Sequence, residues 1–120
     1  MSDYNTQELC AEWQKLLRLQ DWQVQINMVR AVGMHREGSG GEVNWHVATK
    51  AAVISITDPI DYPENAICPL DIERTIVHEL LHLHFVPFVA DDGTPEDESQ
   101  EQVIHILSEA LVKIKREREE

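Results

Sequence analysis

An α+β domain is the fold this sequence predicts, and three observations lead there. An amphipathic helical stretch opens the chain, three runs of alternating apolar and polar residues follow, and two helical runs close it. The 120 residues suit one compact domain with its own core. No internal repeat divides them. The expected sheet is small, three-stranded and mostly antiparallel.

From about Thr6 to Leu19, the residues Leu9, Trp13, Leu16 and Leu17 recur on one side of a helix. Trp22, Val24, Ile26 and Met28 then alternate with Gln23, Gln25 and Asn27, the mark of a half-buried strand. The cluster from Gly38 to Gly41 reads as a flexible turn. Val43, Trp45 and Val47 alternate with Glu42, Asn44 and His46 in a second strand, and Ala52, Ile54 and Ile56 continue the pattern in a third. Asp58 to Pro69 is a proline-bearing loop. A helix follows, starting at Asp71 as N-cap with Glu73 in its first turn and bounded by Pro87. Its stripe of Ile72, Ile76, Leu80 and Leu83, widened by Val77 and Leu81, marks it as mostly buried. The last helix runs from Glu96 to about Arg116. Val103, Ile104, Ile106, Leu107, Ala110, Leu111 and Ile114 give it a broad apolar face, and Lys113, Lys115, Arg116 and Arg118 suit its C-terminal end.

The buried helix carries His78-Glu79-Leu80-Leu81-His82. Four residues apart, His78 and His82 lie on one helix face and can share one metal ion. Glu79 stands beside them, where a carboxylate can take a proton from a metal-bound water. Catalytic zinc takes three protein ligands and keeps one position for water, so a third ligand must come from elsewhere. A histidine six residues past His82 is ruled out, because position 88 is Phe. His84, two residues on, points to another side of the helix.

In the last helix, Glu98, Glu101 and His105 recur at i, i+3 and i+7 and share one face. Glu101 immediately precedes the apolar positions and is the expected third ligand, with Glu98, Asp91 and Asp92 as alternatives. His105 is a candidate to support a ligand or to donate to a developing oxyanion. Tyr62 is a second candidate for the oxyanion, as a hydroxyl in the loop before the motif.

The motif followed by a helical glutamate resembles the gluzincin-type zinc metallopeptidases. The chain is most similar to small metallopeptidases of phages and prophages, and more distantly to the ImmA/IrrE regulatory peptidases. The stretch from Glu101 to Val112 resembles their ligand helix, and Leu19 to Ile26 resembles their entry into the first strand. The resemblance implies a minimal zincin-like domain with zinc on His78, His82 and Glu101 and with Glu79 as base. It also implies that the sheet's edge strand lies beside the motif helix, so that residues 51–56 would offer backbone groups to an extended peptide. Two features depart from the pattern: His105 stands where that group more often has an amide, and the stretch from His82 to Glu101 is short.

The expected activity is zinc-assisted hydrolysis of a peptide or protein substrate. A catalytically silent zinc-binding regulatory module, and a hydrolase acting on a non-peptide bond, are the other classes the motif admits. A formal net charge of −12 repels phosphate backbones and argues against nucleic acid as a partner. No run of about 18 apolar residues suggests a membrane span. The first residues lack the basic and apolar regions of a signal peptide, and the two cysteines, Cys10 and Cys68, form no disulfide framework or metal-type pair. A cytoplasmic protein is the expectation. The oligomeric state is not set by the sequence.

Overall fold

The most apolar of the three strands takes the centre of the sheet, and this decides the topology. In the computed structural model, which describes residues 3–30, 40–61, 71–88 and 90–119, the order is helix α1 (Asp3–Leu16), strands β1 (Gln23–Val29), β2 (Gly41–His46) and β3 (Ala51–Thr57), then helices α2 (Ile72–His84) and α3 (Pro95–Glu119). Single 3-10 turns lie at Pro59–Asp61 and Val86–Phe88. The α+β order is as expected. Tyr62, Cys68 and the stretch Gly38–Ser39 lie outside the described residues, whereas Gly41 is not part of a turn but begins β2.

The sheet is mixed, with strand order β1-β3-β2. β2 and β3 form an antiparallel pair, with Val43 opposite Ile54 and Trp45 opposite Ala52. The turn between them is closed by a bond from Lys50 N–H to the Val47 carbonyl, Lys50 adopting a positive φ of 50°. β1 lies on the other side of β3 and runs parallel to it, with Val24 beside Ala52 and Ile26 beside Ile54. The expected mostly antiparallel sheet is therefore corrected to one parallel and one antiparallel pairing. β3, with Ala52, Ile54 and Ile56 buried, is flanked on both sides because burial favours the central position for it. Residues 51–56 are thus not an edge, and their backbone groups are committed to β1 and β2.

The two true edges differ. Along β1, the Gln7 side chain of α1 plugs the ladder: its amide nitrogen donates to the Val24 carbonyl at 2.9 Å, and its oxygen accepts from Ile26 N–H at 3.0 Å. β2 forms the opposite edge, beside α2.

One face of the sheet is covered by α1 and α2; on the other, Gln23, Gln25, Asn44 and His46 are exposed. The core joins Ile54 and Ile56 of the sheet to Trp13 of α1, Ile76, Val77 and Leu80 of α2, and Ile104 of α3. Full burial of each Ile or Leu contributes about 1.5–3 kcal/mol. α1 ends earlier than its apolar pattern, because Arg18 takes a positive φ of 63° and turns the chain toward β1. Buried Leu19 remains in the core, and Gln14 Nε2 satisfies the carbonyls of Leu19 and Trp22. Among the described residues no helix is long and apolar enough to cross a membrane.

α3 packs chiefly on α2, with Lys115 also reaching Trp13 and Glu12 of α1, and only part of its expected apolar face is used. Ile104, Ser108 and Val112 are buried and Leu111 is half-buried, while Val103, Ile106, Leu107 and Ile114 stay exposed. The helix starts at Pro95, where a missing N–H costs nothing. Thr94 Oγ1 accepts from Asp97 N–H, and the Asp97 carboxylate accepts in return from Gly93 N–H.

A charged clamp joins the start of α2 to the end of α3. Glu73 accepts from Trp13 Nε1 at 2.8 Å and from Lys115 Nζ at 2.7 Å, and Arg116 pairs with both Asp71 oxygens at 2.9 Å. Asp71 also caps α2, accepting from Arg74 N–H. Burial works against the ionisation of Glu73, but the bonds from Lys115 and Trp13 outweigh it and hold its pKa below the ordinary value. Asp71 is lowered in the same way, burial being outweighed by Arg116 and Arg74. Stability from these groups is fully present above the ordinary carboxylate pKa and is lost as pH falls through the lowered, folded one. Glu73→Gln should therefore cost about 1–2 kcal/mol at neutral pH, and the cost should shrink as pH falls through the lowered, folded pKa. Urea unfolding over that fall in pH checks it; a pH-independent difference would contradict the clamp.

Candidate metal centre

His78 and His82 stand one turn apart on α2, at the margin between its buried side and α3. Their side chains are 20% and 23% exposed, and their ring centroids are 5.3 Å apart. The flanking Ile76, Val77, Leu80, Leu81 and Leu83 are buried, which fixes how the helix is rotated and so where the two imidazoles point. α3 brings Glu101 across to them. One Glu101 oxygen is 3.1 Å from His78 Nε2 and the other is 2.9 Å from His82 Nε2.

These three side chains form the one group of His, Cys, Asp or Glu among the described residues whose ligand atoms, within 4.8 Å of one another, could hold an ion. Zinc bonds of about 2.0–2.1 Å in a tetrahedron set neighbouring ligand atoms about 3.3 Å apart. The two His–Glu101 separations are within a few tenths of an ångström of that value, and all three ligand atoms lie within 4.8 Å of one another. Two imidazole nitrogens and a carboxylate also match the donor types of a three-ligand catalytic zinc site. The Glu101 carboxylate is held well below the usual range by hydrogen bonds from His78 and His82, so it is fully charged, as a ligand must be. Glu98, Asp91 and Asp92 are not in the group.

Glu79 is 6% exposed, the only buried carboxylate among the described residues. Burial pushes its pKa up; the nearby His78 and His82 pull the other way, and Glu101 and Glu42 add to the rise. Its Oε2 lies beside β2 at Gly41. A Cβ built at Gly41 would sit 3.5 Å from that oxygen and 2.5 Å from Thr75 Cγ2, so α2 and the edge strand meet here at a distance only glycine allows. Sequence reasoning missed this role for Gly41. The signal available is a glycine in register with the alternating Val43 and Trp45, two residues before Val43.

His105 lies one turn beyond Glu101, its ring centroid 6.4 Å from that of His78. Its Nε2 pairs with Glu109 at 3.0 Å, and Glu109 also accepts from Arg74 at 3.4 Å. It stands beside the cluster and outside the ligand set. His84 Nε2 donates to the Leu17 carbonyl at 2.7 Å, so it serves the exit from α1 and not the metal site. Cys10 is a buried free thiol whose pKa burial pushes up to about 12.

No family model, curated protein or solved structure matches this chain. Isothermal titration with zinc should show one equivalent bound by the parent. Glu101→Ala should weaken that binding by at least about 100-fold, more than loss of a residue that merely orients a ligand. Unchanged affinity in the variant would move the third ligand elsewhere.

Proposed function

We propose that this chain is a zinc-dependent hydrolase that cleaves peptide bonds. The observation that carries the proposal is a buried glutamate of raised pKa, Glu79, adjoining a two-histidine, one-glutamate cluster. The same reading follows from the resemblance of His78 to His82, with Glu101 on the later helix, to the gluzincins. It takes the fold as a minimal zincin-like domain in a cytoplasmic setting.

His78, His82 and Glu101 would hold the ion. Zinc, when bound, supplies a Lewis acid that polarises a carbonyl and makes water easier to deprotonate. Glu79 takes the proton of the attacking water and returns it to the amine as the carbon–nitrogen bond breaks. Burial suits it to both roles, because a raised pKa brings a carboxyl nearer to the working pH. An extended peptide would be placed by strand addition along β2, the edge beside Glu79, since Gln7 blocks the edge of β1. His105, beside the cluster and paired with Glu109, would be the candidate donor to the oxyanion on exchanging that partner.

Glu79→Gln should retain zinc affinity and lower turnover by about 10²–10⁴-fold. Digestion of a diverse peptide library, read by mass spectrometry for parent and variant, checks this. Equal cleavage by the two proteins would refute the role of Glu79. Zinc binding with no cleavage by either would favour a binding module over a peptidase.

A further inference from the structure

The outer side of α3 carries apolar residues that no other described element covers. Val103, Ile106, Leu107 and Ile114 are 46%, 61%, 41% and 55% exposed. Val103, Leu107, Ala110 and Ile114 follow one another at spacings of four, three and four, the a/d seam of a two-helix coiled coil. Such a seam lies too far round the helix to reach α2, which is packed against Ile104, Ser108 and Val112. Glu101, two positions before Val103, points to the opposite side of the helix, so a partner on the seam leaves the metal cluster clear.

Charge selects the occupant and its direction. α3 begins with Glu96, Asp97 and Glu98; in its last third Lys115 and Arg116 are held by Glu73 and Asp71, which leaves Lys113 and Arg118, with Glu117 between them, toward the seam. A second α3 laid parallel would set acids against acids, in a chain whose net charge of −12 already opposes self-association. Laid antiparallel, the acidic start of each helix meets the more basic end of the other. The same antiparallel arrangement sets Val103 against Ile114 and Leu107 against Ala110 about one twofold axis, so a single patch completes itself.

We propose that α3 is the interface of an antiparallel homodimer, its partner a second copy of this chain. Four short seam positions bury less than the roughly 800 Å² per partner of a stable complex, so the association is concentration-dependent.

Sedimentation equilibrium of the full chain tests it. The mass should rise from 13.8 kDa toward twice that value between roughly micromolar and millimolar protein. Leu107→Glu, and separately Ile114→Lys, should hold the protein monomeric while circular dichroism stays unchanged. Direction is read by oxidising Cys68→Ser proteins that carry Val103→Cys or Ile114→Cys. A mixture of the two should cross-link between positions 103 and 114, and Val103→Cys alone should not cross-link. A parent monomeric at millimolar concentration would overturn the proposal and leave the seam to a different protein. Dimers that survive both seam variants, or that cross-link through position 103 alone, would overturn it as well.

Discussion

The docking of α3 on α2 is the contact on which the candidate site depends. Two histidines on one helix fix only half of a metal site, and Glu101 reaches them only because α3 lies across α2. The contact is held at two places. Ile104, Ser108 and Val112 are buried against the core side of the pair, and the clamp of Lys115 and Arg116 on Glu73 and Asp71 ties the far end. Between them the position of α3 has little freedom, which is what a ligand set with separations near 3 Å requires. The contacts with His78 and His82 hold the Glu101 carboxylate against both imidazoles.

A second constraint acts at the edge of the sheet. Gly41 lets β2 approach α2 so closely that the Glu79 carboxylate is enclosed between strand and helix. Burial there raises the Glu79 pKa, while contact with two histidines lowers that of Glu101. Two glutamates near the same imidazoles are thus driven in opposite directions. Under the proposed function, one would carry a permanent charge and the other exchange a proton, a division set by environment.

Much of this was legible in the chain, and the parts that were not have identifiable causes. The i, i+4 spacing of His78 and His82 and the apolar stripe around them carry the motif helix directly. Glu101 was legible as the last acid before an apolar helical run. Strand direction was not, because alternation of side chains is the same in parallel and antiparallel pairs. The central place of β3 is hinted at by the uninterrupted small and apolar residues from Ala51 to Ile54, whereas the family resemblance implies an edge there. The apolar face of α3 was readable, but its width exceeds what one neighbouring helix can cover, and no local pattern says which part stays outside. In the sequence Gly41 reads only as turn punctuation, since the need for close approach exists only once β2 and α2 are packed.

A crystal structure of the protein with zinc tests the central claim most directly. The account predicts one ion bonded to His78 Nε2, His82 Nε2 and a Glu101 oxygen at about 2.0–2.2 Å, with a further position open to solvent. Zinc bound without Glu101, or bound away from the two histidines, would contradict it.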